Sequence, residues 1–277
     1  MTRAGFARRK MPDSILPPGS PLHSRLLELT AEADRVFFAG LPGVGKSLLL
    51  QQLALMAADA GRAVTLLQWD VLRQPFETPR YPLQDGATHP LVIRAAGNWL
   101  RSELPKFAGD LLIGELPLIG GRLIELARPL DDAAEPLLRD ARSQFVVPVP
   151  SREVRAVIEA RRAQTIAAPQ HASEADDAPP NILRALWRDL QTLAQTLDLA
   201  EQPLDHAYSP ETYAAVYLHL LRCRHASILP VEALLPTRGS VYAHLADLPQ
   251  LRATPDEAQA VLRQVESSPD ARAWWEL

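Results

Sequence analysis

Eight consecutive residues carry the strongest chemical signal in the chain: Gly40-Leu41-Pro42-Gly43-Val44-Gly45-Lys46-Ser47. Their spacing is G-x-x-x-x-G-K-[ST]. Gly40, Gly43 and Gly45 let the backbone curl with its N–H groups turned inward. Such a curl runs into a helix start, whose unpaired N–H groups and dipole favour phosphate. Lys46 would then reach the β- and γ-phosphates of a nucleoside triphosphate, and Ser47 would place its hydroxyl on Mg²⁺. The expected nucleotide contacts are Gly40, Leu41, Pro42, Gly43, Val44, Gly45, Lys46, Ser47 and Leu48. A chance match is expected about once in a thousand chains of this composition. Lysine stands elsewhere only at Lys10 and Lys106, the other basic side chains all being arginine, so a lysine at this position adds to the signal.

Further residues could do chemistry beside that loop. Asp70 ends the apolar run Ala63–Asp70, and Glu115 ends the run Leu111–Glu115. A carboxylate at the carboxyl edge of a strand is well placed as a base or a metal ligand. Gly114 leaves room for a ligand beside Glu115. Gly120-Gly121-Arg122 could bring backbone N–H groups and a guanidinium to a ligand, or could simply be a loop before a helix; both readings stand. In 152–162, Val154, Val157 and Ile158 form one helical stripe, with Arg161 seven residues after Val154 on the same face. Arg152, Arg155 and Arg162 share the other side, which a solvated charged face explains.

The elements that must position these groups alternate. A short helix over 22–33 precedes a strand at Arg35–Gly40. An apolar helix follows from Ser47 to about Gly61, then a strand at Ala63–Asp70. The long connection to 108 contains a helix over about 91–103. A third strand, Leu111–Glu115, precedes helical segments at about 120–128 and 132–141. Phe145–Val149 reads as a fourth strand, with Pro148 marking its end. A helix over Ser151–Arg162 leads into a polar, proline-containing stretch, 165–181, that suits a linker or hinge. Ile182, Leu183, Leu186, Trp187, Leu190, Leu193 and Leu197 repeat at helical spacing. Ser209-Pro210 opens another helix, Ala226–Pro230 suits a fifth strand, and Thr254-Pro-Asp-Glu257 is a capping box for the last helix. The alternation predicts an α/β fold, a parallel sheet with helices on both faces.

The layout resembles the P-loop kinases of small molecules, most of all the group containing uridine kinase, phosphoribulokinase and pantothenate kinase. The resemblance rests on the Gly40–Ser47 motif, on Leu67-Gln-Trp-Asp70, on Leu111–Glu115, and on the strand and arginine-rich helix of 145–162. The family's Ser-Gln/Asp-Asp-Phe-Tyr segment keeps its Asp here, as Asp70, but not its Phe-Tyr. The resemblance covers 35–165 and implies a three-layer P-loop NTPase fold, with a sheet of about five strands in the order 2-3-1-4-5. The Pro and Gly of 1–20 suggest a mobile lead, and 21–277 reads as a single domain. Within that domain the resemblance implies an acceptor-binding insert at 71–108 and a lid region at 151–181, while 182–277 reads as a helical C-terminal extension without a counterpart in the family. The resemblance implies ATP and Mg²⁺, with Ser47 and Glu115 on the metal. Asp70 would take the acceptor's proton, and Arg155, Arg161 or Arg162 would close over the phosphates with Lys46. Asp70, Arg94, Glu115 and Arg122 are the expected acceptor contacts. Asp85, His89 and Arg101 are further polar candidates in the insert, with His89 reading first as a helix cap. The implied reaction is transfer of the γ-phosphoryl group to a hydroxyl of a nucleoside, sugar or vitamin-like molecule. The competing reading is an ATPase that acts as a regulatory or assembly switch for a protein partner.

Composition narrows the classes. The chain has 277 residues, of which 47% are hydrophobic and 22% charged, enough to bury one substantial α/β core. A net charge of -4 argues against a nucleic-acid groove or an anionic membrane surface. No GTPase-type [NT]-K-x-D stands in the sequence, and no run of 18 apolar residues suggests a membrane span. The single cysteine, Cys223, excludes an internal disulfide and reads as a packed side chain. The basic N-terminus lacks an apolar segment, so a cytoplasmic setting is expected, with a homodimer left open.

Overall fold

A computed structural model describes residues 14–84, 87–171, 174, 178–200, 207–235, 240, 245, 248–268 and 272–277. The strands are β1 (Arg35–Ala39), β2 (Val64–Leu67), β3 (Leu111–Leu116), β4 (Ser143–Pro150) and β5 (His225–Val231). They form one five-stranded sheet in the order β2-β3-β1-β4-β5, and every pairing is parallel. The helices are α1 (Pro21–Glu32), α2 (Lys46–Asp59), α3 (Trp69–Arg73), α4 (Pro90–Glu103), α5 (Glu135–Arg139), α6 (Arg152–Ala167), α7 (Pro180–Thr196), α8 (Pro210–Leu220) and α9 (Pro255–Ser267).

The central strands are apolar on both faces because both faces are covered. Successive side chains alternate across the sheet. Val36, Phe38, Leu66, Ile113 and Val146 point into a core with α1 and α2. Phe37, Leu67, Leu112, Phe145 and Val147 point into a second core with α4, α7, α8 and α9. Several helices start where the sequence carries a cap. The His89 ring accepts from the Leu91 N–H, and Thr254 and Glu257 complete a reciprocal capping box. Among the described residues, no helix is long and apolar enough to cross a membrane.

Several boundaries differ from the sequence expectation, each for a physical reason. The fourth strand runs through Pro148 to Pro150. It pairs with β1 only as far as Val146, whereas its pairing with β5 continues to Pro150. The Ser151 N–H donates to Val231 on β5. By alternation Pro148 lacks its N–H on the open side, where no ladder bond is lost. The segments expected as helices over 120–128 and 132–141 are mostly 3-10 turns, at Ile119–Gly121 and Ile124–Leu126, with α only over Glu135–Arg139. Leu118 and Leu123 adopt positive φ there, as do Gly120 and Gly121, so no helix can continue through them. The tail of the expected N-terminal lead is tied down: the Ser14 hydroxyl and the Ile15 N–H both donate to Gln52 Oε1, and Leu16 is buried. Residues 1–13 lie outside the described residues. The part after 182 is not only helical, since it contributes β5 and a large share of the second core.

Candidate functional site

The centre of the site is the turn from β1 into α2. β1 lies between β3 and β4, so the segment after it emerges mid-sheet at the carboxyl edge. Gly43 and Gly45 hold left-handed φ values of 75° and 92°. Gly45 is the N-cap of α2 and offers no side chain to the helix start, so the first-turn N–H groups have no side-chain cap. A Cβ added at Gly45 would meet nothing within 4 Å, while one at Gly40 would collide with the Tyr213 hydroxyl. One glycine faces open space and the other accommodates a close approach from α8.

Lys46 is 7% exposed, and its ammonium donates to the Leu41 carbonyl at 2.9 Å. Burial lowers its pKa to about 8; Glu115 opposes that shift, and the guanidiniums of Arg162 and Arg155 reinforce it. The Ser47 hydroxyl donates to Glu115 Oε2 at 3.1 Å. Burial raises the Glu115 carboxyl above its ordinary range, while Lys46 pulls it back down. Hydroxyl and carboxylate therefore stand together within reach of one hard cation. Among the described residues, no group of three or more His, Cys, Asp or Glu could hold a metal by itself. A Mg²⁺ here would complete its shell with phosphate oxygens and water, which that ion tolerates.

A cleft of about 1080 Å³ opens over this loop. Its lining includes Pro42 through Leu48, Asp70, Arg73, Glu115, Arg122, Arg161 and Arg162. Asp70 sits in the first turn of the short α3, immediately after β2, with 73% of its side chain exposed. Arg73 reaches back to it at 3.0 Å and also bonds Glu77. Arg122 follows the turn after β3. Ser151 caps α6 through the Val154 N–H, and that helix brings Arg161 and Arg162 to the cleft wall.

Of the expected site residues, Pro42 through Leu48, Asp70, Glu115, Arg122, Arg161 and Arg162 share this cleft; Gly40 and Leu41 are buried and do not line it, His89 caps α4, and three arginines lie elsewhere. Arg155 does not line it. It is not on a solvated face either: only 2% exposed, it donates to the Pro42 carbonyl at 3.0 Å and to Glu159 at 2.9 Å. Its guanidinium lies 5.7 Å from the Tyr208 ring centre. Arg94 bonds the Ser268 carbonyl at the end of α9, away from the cleft. Arg101 is buried in ion pairs with Asp132 and Glu135. Asp85 lies outside the described residues.

Sequence reasoning missed the contribution of α7 and of the chain's last residues. Leu183 packs against Gly43, and Ile182 and Leu186 line the cleft. Their helical stripe was visible, but a stripe of this kind does not distinguish core from cleft wall. Trp274 and Trp275 border a second hollow of about 440 Å³ that shares Ile119, Arg122 and Leu186 with the main cleft. Comparison of the chain with protein-family models, with curated proteins and with solved structures finds no match.

Proposed function

We propose that the chain binds Mg-ATP on the Gly40–Ser47 loop and transfers the γ-phosphoryl group to a hydroxyl of a small molecule. One observation carries the reading: the Lys46, Ser47, Asp70, Glu115, Arg161 and Arg162 side chains line a single cleft at the carboxyl edge of a parallel sheet. Phosphoryl transfer needs little covalent chemistry from the protein. It needs reactants held in line and spread negative charge stabilised.

The loop backbone, the α2 N-terminus and Lys46 bind the phosphates. The ammonium, now on the Leu41 carbonyl, swings to phosphate oxygens, where its charge gains more than from a neutral acceptor. Ser47 and Glu115 would hold Mg²⁺, which supplies charge neutralisation between phosphate oxygens. Asp70 accepts the acceptor's hydroxyl proton, and Arg73 orients it. Arg161 and Arg162 approach the transferring group from α6.

The test is ADP formation from Mg-ATP with and without pooled small alcohols, in wild type and in Asp70→Asn. Acceptor-stimulated release that Asp70→Asn abolishes, with ATP affinity kept, is the expected result. Full activity in Asp70→Asn would remove Asp70 from the role of base. Release that rises only with a protein partner would favour the switch reading instead.

A further inference from the structure

Among the described residues, five cationic side chains line the main cleft: Lys46, Arg73, Arg122, Arg161 and Arg162. Arg122 differs from the others in position. It also lines the second hollow, whose walls include no residue of the 40–48 loop. That hollow is bordered by the indoles of Trp274 and Trp275, by Leu186 and Leu193, and by Thr192 and Asp189 of α7. Arg122 thus lines both the loop side of the cleft and a hollow whose walls mix two indoles and two leucines with Asp189, Thr192 and Thr196.

The guanidinium has little to balance it there. One of its nitrogens donates to the Ile119 carbonyl at 3.1 Å. Among the described residues no carboxylate lies within 4.0 Å of it. Asp70 acts on it only at longer range, and Asp70 is already engaged by Arg73 at 3.0 Å. Arginine stays charged in proteins, and a half-buried cation without an anion is costly. Burial lowers the Arg122 pKa, the direction an uncompensated cation takes. By contrast Arg101, equally cationic and more deeply buried, has Asp132 and Glu135 as partners. A fork of donors at the mouth of a hollow suits an anion with two oxygens in one plane.

We infer that the acceptor is itself an anion: a hydroxyl-bearing carboxylate or phosphate ester whose charged group seats on Arg122 and whose flat or apolar body lies against Trp274 and Trp275. This rests on the kinase reading for the word acceptor, but the anion pocket can be tested without it. A hollow of about 440 Å³ falls in the range of small-molecule sites. Arg122 also lines the main cleft with Asp70 and the loop, so a ligand seated on it borders that cleft.

The experiment titrates the full chain with benzoate, phenyl phosphate and benzyl alcohol, three probes with one ring and different charge, followed by tryptophan fluorescence. Wild type is expected to bind at least one anion about tenfold more tightly than benzyl alcohol. Arg122→Gln should bring the three within about twofold, and Arg122→Lys should keep part of the preference. Trp275→Ala should weaken all three. Benzoate against phenyl phosphate separates a carboxylate from a phosphate ligand. Equal binding of the three probes, a preference that survives Arg122→Gln, or no saturable anion binding below about 10 mM would each overturn the inference. ATP binding to the wild type is measured alongside. Anion binding without ATP binding would sink the kinase reading and leave the pocket standing. ATP turnover stimulated only by neutral alcohols would do the reverse.

Discussion

The Arg155 guanidinium donates to the Pro42 carbonyl at 3.0 Å, across 113 residues of sequence. The Pro42–Gly43 peptide is trans, so its C=O and the Gly43 N–H point in opposite directions. Holding that carbonyl therefore also fixes the direction of the Gly43 N–H, in the part of the loop that lines the cleft. Glu159 at 2.9 Å and the Tyr208 ring fix the guanidinium in turn. Arg155 thus contacts the loop backbone directly, and its expected effect is on the loop's geometry. Arg155→Met is expected to weaken ATP binding by about tenfold, roughly 1.4 kcal/mol, with Arg155→Lys intermediate. Calorimetric titration measures it. A loss in kcat alone, with ATP affinity unchanged, would return Arg155 to the group that contacts the transferring phosphoryl.

Lys46 carries a burial cost. Its pKa falls from 10.5 to about 8 on burial. The unfolded chain therefore binds more protons between those values, and stability rises with pH through that window. Below about 8 the full cost applies, about 3 kcal/mol. Lys46→Met should thus raise the melting temperature at pH 7 while abolishing ATP binding. In wild type, ATP affinity should fall as pH rises through about 8, with proton uptake on binding. Thermal unfolding and titration across pH 6.5–9.5, a range of about three units around that value, check both.

The central strands could be read in the sequence because buried parallel strands are short apolar runs that end in small or polar residues, as Arg35–Gly40 and Leu111–Glu115 show. Ala226–Pro230 was legible as an apolar run although it lies at the sheet edge and is mostly not buried. The placement of Asp70 and Glu115 on the cleft was legible for the same reason, since such runs end at the carboxyl edge of the sheet. Arg155 was not legible. A helical wheel pairs Val154 with Val157, yet Val157 is 37% exposed and Arg155 is buried. What turns the helix is polar and distant: the Pro42 carbonyl and the Tyr208 ring. Arg94 was misassigned to substrate for a similar reason, because its partner is a carbonyl at the far end of α9. The indoles at 274 and 275 reach the site only through the packing of the chain's end on the Ile119–Arg122 turn. No local pattern encodes that.

Glu115 offers a test of metal binding that does not depend on the acceptor. Burial raises its pKa, so the carboxylate forms only above the ordinary range. Mg²⁺ requires the ionised form, so apparent Mg²⁺ affinity in the presence of ATP should fall as pH drops toward that raised value. Glu115→Gln should need about tenfold more Mg²⁺ and lose this pH dependence. An unchanged Mg²⁺ requirement in Glu115→Gln would leave Ser47 as the only protein ligand.

The segment that follows the Arg122 turn is tied by a charge cluster at Glu135, and the expected acid sensitivity of the fold follows from it. Glu135 meets Arg101 at 2.6 Å, Arg224 at 2.9 Å and Arg139 at 2.6 Å. Arg101 and Arg224 also donate to the carbonyls of Glu125, Leu126 and Arg128, so α4, the end of α8 and the 125–135 segment are tied at one point. The three guanidiniums outweigh desolvation and lower the Glu135 pKa from 4.5 to about 2. The stabilisation is fully present above about 4.5 and is lost as pH falls toward about 2. Arg224 has no exposed side-chain surface, so Glu135→Gln leaves a buried cation short of an anion. The expected cost is about 3 kcal/mol, with a flattened stability profile between pH 4.5 and pH 2. Denaturant unfolding at pH 7 and in that acid window measures both. A loss at pH 7 below about 1 kcal/mol would show that Asp132, which also pairs with Arg101, carries the clamp instead.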